Sequence, residues 1–287
     1  MADRPLEGRT ALITGAGRGL GKAMAEGLAA QGANIALIDL EEDVLAAAVA
    51  DVEIAGGQGC AVAVAADVTD RDRAQAAIDN SIDAFGGFDI LINDAAMGPQ
   101  FFTGNFVEHS PKFWEIDPEL WHRVLTVNAY GPQLMASVAA PHLVERGWGR
   151  IINVTTSLDT MYLRGCGSYG PSKAALEANT RIMSQDLGET GVTANVLIPG
   201  GPANTRMIPE ATGFDRDELV QPESMRAPVC WLCSNDADDV NGMRFIASMW
   251  DEALPRDERL AKAGAPTAWA QIGSLAQRPS GWADTER

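Results

Sequence analysis

Thr14-Gly15-Ala16-Gly17-Arg18-Gly19-Leu20-Gly21 stands between a short apolar run, Thr10 to Thr14, and a helix-like stretch, Leu20 to Ala30, that Gly32 stops. Its glycines follow the spacing G-x-x-x-G-x-G at Gly15, Gly19 and Gly21; the G-x-G-x-x-G fingerprint fails because position 20 is Leu. Glycines let a backbone turn sharply and approach a pyrophosphate, whose charge is favoured by the free N–H groups at a helix N-terminus. The alternative is a glycine-rich turn without a ligand. A preceding strand, a following helix and an acid at the end of the next strand favour the nucleotide, with Gly15, Arg18, Gly19 and Leu20 as contacts.

That acid is Asp39, which closes the apolar run Asn34 to Asp39. A carboxylate there accepts hydrogen bonds from the adenosine ribose hydroxyls and repels the extra phosphate of NADP. Leu40, Glu41 and Glu42 follow and bring no cation; Arg18 is the one contrary sign. NAD is therefore the expected cofactor. Asp67-Val68, past the third apolar run, offers an acceptor for the adenine amino group; equally, Asp67 is placed to cap the helix that follows.

Outward from this turn the chain alternates. Apolar runs at Asn34 to Asp39, Cys60 to Ala65, Phe88 to Asn93, Arg150 to Val154 and Val192 to Ile198 are separated by helical stretches at Glu41 to Ala55, Asp70 to Phe85 and Tyr169 to Leu187. Continuous apolar strands joined by long crossovers imply a parallel sheet covered on both faces. The expected fold is a single-domain α/β Rossmann fold, a doubly wound parallel sheet of about seven strands with helices on both faces. Residues 1–250 form the domain and residues 251–287 an extension. Ligands of such sheets bind at the carboxyl edge of the strands.

Of 287 residues, 46% are hydrophobic, and the formal net charge is −17. That charge disfavours binding to nucleic acid or anionic lipid, both of which need a positive field. No apolar run long enough for a signal peptide or a membrane span is evident, so the expected setting is cytoplasmic and the expected partner a small molecule. Cys230 and Cys233 form a C-x-x-C, but their apolar helical surroundings and the absence of a second pair or a nearby His favour buried thiols over a metal site. No metal is expected.

The glycine turn, Asn93-Asp94-Ala95-Ala96, Asn128, Thr155-Thr156-Ser157, Tyr169-Gly170-Pro171-Ser172-Lys173 and Pro199-Gly200 together resemble the short-chain dehydrogenase/reductase family in order and spacing. The resemblance runs over about residues 6 to 248. It implies hydride transfer between NAD and an alcohol/ketone pair. Such chemistry needs a proton donor for the developing alkoxide, and a tyrosine with its ordinary pKa of about 10 is a poor base near neutrality. Lys173, one helical turn beyond Tyr169 and on the same face, is expected to lower that pKa. The resemblance also gives Lys173 a hold on the nicotinamide ribose, Asn128 a relay water, and Asn93, Pro199, Gly200 and Thr205 places along the cofactor. Here Asp94 adds a carboxylate to the usual pattern, and one extra residue separates Pro199-Gly200 from Thr205.

Two hydroxyls compete to assist Tyr169. The family's usual serine lies thirteen residues before the tyrosine, a spacing that falls on Thr156, whereas Ser157 lies twelve before. Neighbours on a strand face opposite ways, so one of the two enters the site. Ser157 is preferred because the family overwhelmingly uses Ser; Thr156 is the alternative.

The regular rhythm breaks at residues 97–117, 200–220 and after 250. The first break holds Phe101, Phe102, Phe106, Phe113 and Trp114, which suit a bulky apolar or aromatic substrate, or else pack the loop onto its own domain. The tail, with Trp269 and Trp282, is expected to dock on its own or a neighbouring subunit, with 278–287 loose. The resemblance implies a homodimer or homotetramer. An epimerase or dehydratase on the same scaffold, and a catalytically inactive NAD-sensing protein, are the competing functions; a single compact domain argues against the first and the intact Tyr169–Lys173 pair against the second.

Overall fold

Strand β1 (Thr10–Thr14), entirely buried, sits near the middle of an eight-stranded sheet in which β2 (Asn34–Asp39) flanks it on one side and β4 (Ile90–Asn93) on the other. The computed structural model describes residues 4–106 and 108–269. The remaining strands are β3 (Ala61–Ala65), β5 (Gly149–Val154), β6 (Val192–Ile198), β7 (Met243–Ile246) and β8 (Gly264–Pro266), in the order β3-β2-β1-β4-β5-β6-β7-β8. The order reverses at β1 and β4, the switch point where a doubly wound sheet opens a crevice at its carboxyl edge.

Helices α1 (Gly19–Ala30), α2 (Glu42–Gly56), α3 (Arg71–Phe85), α4 (Pro118–Leu125), α5 (Gly131–Arg146), α6 (Leu158–Met161), α7 (Tyr169–Asp186), α8 (Arg226–Leu232) and α9 (Arg256–Ala263) complete the layers. Alternate strand residues face opposite ways, so each strand feeds two cores. Ile13, Leu37 and Ile92 pack with Met24 and Leu28 of α1 and Val229 of α8. Leu12, Ile38 and Leu91 pack with Ile78 of α3, Leu134 of α5 and Met183 of α7. Each such side chain removed from water contributes about 1.5–3 kcal/mol, which makes the two-sided sheet the rigid frame for the loops at its edge.

The sheet has eight strands where about seven were expected, and seven of them are parallel. Its eighth strand runs antiparallel to β7, pairing Met243 with Pro266 and Phe245 with Gly264. This strand comes from the extension, so among the described residues position 250 is not a structural boundary. Trp250, packed against Trp231 with ring centroids 5.3 Å apart and against the Arg259 guanidinium at 4.8 Å, anchors the turn into α9. Trp282 and residues 278–287 lie outside the described residues.

Candidate active site

The glycine turn closes under the carboxyl edge. Gly15 has φ +67° and its Cα faces the chain after β4 so closely that a methyl there would lie 2.8 Å from the Ala95 Cα; only glycine fits both conditions. At Gly17 a methyl would meet the Asp39 carboxylate at 2.8 Å, and its absence lets the Gly17 N–H donate to Asp39 Oδ2 at 3.2 Å. Asp39 Oδ1 also accepts from the Leu40 N–H at 2.8 Å. The carboxylate is thus held beside the turn. Arg18 Nη2 lies 2.8 Å from Glu41 Oε1, close enough for an ion pair though not aligned for a hydrogen bond. Its charge is paired with Glu41.

Leu20 is half-buried on α1, and Thr205 reaches back over Gly19, where a methyl would stand 3.2 Å from Thr205 Cγ2. The extra residue after Pro199-Gly200 therefore leaves Thr205 beside the glycine turn. A cavity of about 460 Å³ opens here between α1 and the 204–223 segment, lined by Arg18, Lys22, Thr205, Arg206 and Arg216 among others. It adjoins the glycine turn and does not reach Tyr169. Asp67 is exposed and accepts from the Thr69 N–H and Oγ1 at 2.9 and 2.7 Å, while Asp70 caps α3 by accepting from Asp72 and Arg73. The capping role weighed for Asp67 belongs to Asp70. Val68 is buried against Gly131. Asn93, buried at the end of β4, donates to Asn153 Oδ1 at 2.9 Å.

Tyr169 opens α7 and is 7% exposed; Lys173, one turn on, is 2% exposed. Lys173 Nζ donates to the Val154 carbonyl at 2.7 Å, which ties α7 to the end of β5. Burial pushes the Tyr169 phenol up to about 12, against a downward pull from a hydrogen bond to the Thr156 side chain, with Cys166 and Asp94 adding to the rise. This net direction is opposite to the lowering expected from Lys173. Burial also pushes Lys173 down, although Asp94 opposes it. Asp94 is pushed up by burial, against the Lys173 charge and a hydrogen bond from the Gly21 backbone. In the sequence Asp94 showed only as an added carboxylate; its place between the glycine turn and Lys173 is a product of β4 lying next to β1.

The two candidate hydroxyls separate. Thr156 is the hydroxyl that pulls the Tyr169 phenol downward, whereas Ser157 Oγ is engaged with Thr160 Oγ1 at 2.7 Å across the start of α6. Ser157 begins the turn into α6 with its hydroxyl on Thr160, which favours the alternative, Thr156, over the preferred Ser157 as the assisting hydroxyl. Asn128 is fully buried in a π-helical turn, Thr126–Tyr130. Its amide accepts from the Met97 N–H at 2.7 Å and donates to the Met97 carbonyl at 2.8 Å and Ser172 Oγ at 3.0 Å.

A model of the short chain dehydrogenase family matches residues 9–213. The chain belongs to the short-chain dehydrogenase/reductase family. It is 34% identical over 253 residues to the 2,5-dichloro-2,5-cyclohexadiene-1,4-diol dehydrogenase of Sphingobium indicum, covering 88% of this chain and 93% of the relative. It is 31% identical over 263 residues to the NADPH-dependent aldehyde reductase 2 of Arabidopsis thaliana, covering 85% and 93%. A short chain dehydrogenase from Mycobacterium paratuberculosis, solved bound to NAD, superposes with a TM-score of 0.71 at 29% identity over 83% of this chain and 95% of that one. Membership of this family makes the chain an oxidoreductase with a nicotinamide cofactor, and the glycine turn with its close backbone approach fits a dinucleotide.

The two irregular segments meet over the site. Met207 lies against Gly98, and Asn105 Nδ2 donates to the Ala211 carbonyl at 2.8 Å. Phe102 and Ile116 pack on Gly167, two residues before Tyr169, while Phe101, Phe113, Trp114 and Tyr162 remain exposed around them. The aromatic loop thus divides between packing and an exposed apolar rim. Among the described residues no helix is long and apolar enough to cross a membrane.

Proposed function

We propose that this chain interconverts a secondary alcohol and a ketone with NAD, and that Tyr169 is its acid/base. The observation that carries this reading is the buried Tyr169 phenol with the Thr156 hydroxyl beside it and Lys173 one turn on, at the same sheet edge as the glycine turn. The nicotinamide, when bound, supplies or takes the hydride. A phenol at about 12 is protonated at neutral pH, so in the reductive direction Tyr169 hands its proton to the developing alkoxide. Thr156 donates to the same oxygen and stabilises its charge. Lys173 spends one of its three N–H donors on Val154, which leaves two for the ribose hydroxyls. Asn128, tied to Met97 and to Ser172 of α7, braces the helix that carries Tyr169 and Lys173.

Asp39, held by Gly17 and Leu40 and unopposed by Arg18, favours NAD over NADP. The NAD-bound Mycobacterium structure supports this choice, the Arabidopsis relative is named for NADPH, and the reading for this chain rests on Asp39. The apolar rim favours a bulky cyclic or aromatic substrate, in line with the cyclohexadiene-diol named for the Sphingobium enzyme. A homodimer or homotetramer in the cytoplasm completes the reading, with Tyr130, Val144 and Ile182 as exposed apolar residues to cover.

The test is a panel of secondary alcohols, from propan-2-ol to cyclohexanols and aryl carbinols, offered with NAD or NADP while the absorbance of the reduced nicotinamide is followed. Turnover of the larger alcohols with NAD supports the reading. No reduction of either cofactor by any alcohol, with the reverse reaction on the ketones also silent, contradicts it.

A further inference from the structure

Three consecutive residues at the end of β5 are each held by a different long side chain or buried charge. Val154 is held through its carbonyl by Lys173, as above. Thr155 Oγ1 donates to Glu177 Oε2 at 2.8 Å. Thr156 is held through its carbonyl, which accepts from Arg244 Nη2 at 3.1 Å. Glu177 lies four residues beyond Lys173 on α7, so Tyr169, Lys173 and Glu177 form one stripe at i, i+4 and i+8 that faces the strand end.

Glu177 and Arg244 form an ion pair, with Nε 3.0 Å from Oε1 and side chains 0% and 8% exposed. A buried pair of this kind is costly to desolvate and is retained only where every lone pair and N–H finds a partner. Here the last partner comes from the C-terminal segment: the Ala268 N–H donates to Glu177 Oε1 at 3.3 Å. Ala268 reaches that position with φ +61°, a left-handed conformation that L side chains adopt at a cost. Thr267 fixes the segment by giving both its N–H and its Oγ1 to the Gly242 carbonyl at 2.9 Å. Strand β8 covers Arg244 from the side, pairing it with Ala265.

We propose that Glu177 and Arg244, completed by the C-terminal segment at Ala268, are positioning residues that set where the Thr156 hydroxyl stands against Tyr169. This rests on the reading of Thr156 as the assisting hydroxyl. The extension after Trp250 then has a task in the chemistry: it completes the pair that grips the Thr155–Thr156 backbone, although none of its described residues joins the Tyr169, Thr156 and Lys173 group itself.

The test uses the full chain and a double-mutant logic. Glu177→Leu with Arg244→Met replaces the pair by apolar residues and leaves no unpaired buried charge; Ala268→Pro separately removes the strap's N–H and its left-handed turn. Each is made with and without Thr156→Ala, and kcat, KM and the Kd for NADH by fluorescence are measured. A misplacement of the reacting groups predicts a ~10- to 100-fold fall in kcat with little change in the Kd for NADH. In the Thr156→Ala background the same substitutions should cost almost nothing further, because the group they position is gone. If the double substitution does not fold, Ala268→Pro decides in the same way. A full, additive loss in the Thr156→Ala background, or kcat retained in both variants, overturns the proposal while leaving Thr156 in place. Thr156→Ala as active as the wild type removes the hydroxyl from the chemistry and this proposal with it.

Discussion

Replacing Asp39 by Ser should move the cofactor preference of the enzyme toward NADP, by an amount that follows from the geometry of the glycine turn. In the wild type the carboxylate sits within hydrogen-bonding distance of Gly17 and is half-buried. A phosphate on the adjacent ribose hydroxyl would stand roughly 5 Å away, where two unit charges repel by about 3 kcal/mol at an effective dielectric of 20 and under ~1 kcal/mol in bulk water. For a half-exposed site about 2 kcal/mol is a fair middle value, a penalty of roughly thirty-fold against NADP. Ser also loses a charge-assisted hydrogen bond to the ribose, worth about 1.5–3 kcal/mol to NAD. The two effects add in the ratio, so the NAD/NADP preference should fall by about three orders of magnitude. Steady-state kcat/KM with each cofactor, at one fixed ionic strength because Arg18 and Glu41 are partly exposed, measures it. A ratio that moves less than threefold, or a wild type that uses NADP as well as NAD, refutes the reasoning.

Thr156→Ala should lower kcat by about 3 kcal/mol of transition-state stabilisation, and Ser157→Ala, whose hydroxyl is engaged with Thr160, should leave turnover near wild type; an inverted order restores Ser157. Gly15→Ala should unfold the turn or abolish cofactor binding, since it forces a methyl to 2.8 Å from Ala95 and a φ of +67° on an L side chain; an NADH titration and a thermal melt check both. Asp94 is raised by burial, so the folded state holds its proton more tightly than the unfolded chain, and its contribution to stability is fully present in acid and lost as pH rises through the raised folded-state pKa. Asp94→Asn should therefore flatten the fall in Tm between acid and mildly alkaline buffers, and a variant whose Tm falls as steeply as that of the wild type would count against the burial argument. Because Tyr169 rests protonated, alcohol oxidation should accelerate with rising pH well above neutrality, while ketone reduction should be supported at neutral pH; pH profiles of kcat in the two directions check this.

The parts of the molecule set by local pattern were legible in the sequence. The glycine turn, the acid at the end of β2 and the helix from Tyr169 stand where apolar runs and glycine spacing put them, because a buried parallel strand needs a continuous apolar run and each crossover helix a glycine or polar stop. What the sequence did not carry depends on contacts between distant segments. Strand β8 is three residues, Gly-Ala-Pro, with no alternation to read, and exists only because β7 offers a free edge. The thirteen-residue spacing from Tyr169 pointed to Thr156, and the preference for serine as a residue type led away from it; that Ser157 is drawn into the start of α6 is a property of the fold. The upward shift of Tyr169 comes from its burial, with the charges of Cys166 and Asp94 adding to it, and the Tyr169–Lys173 spacing contains no information about either. The Glu177–Arg244 pair joins residues 67 positions apart, each of which reads in isolation as an ordinary surface charge.

Whether Tyr169 transfers the proton that accompanies hydride transfer is read out by Tyr169→Phe, since the substitution removes one oxygen and keeps the packing of α7. Single-turnover oxidation of NADH by a ketone substrate, measured beside an NADH binding titration, separates chemistry from binding. With Tyr169 as the proton donor, the Kd for NADH stays unchanged and the rate falls by about two to four orders of magnitude. A Phe variant that transfers hydride at close to the wild-type rate would contradict it.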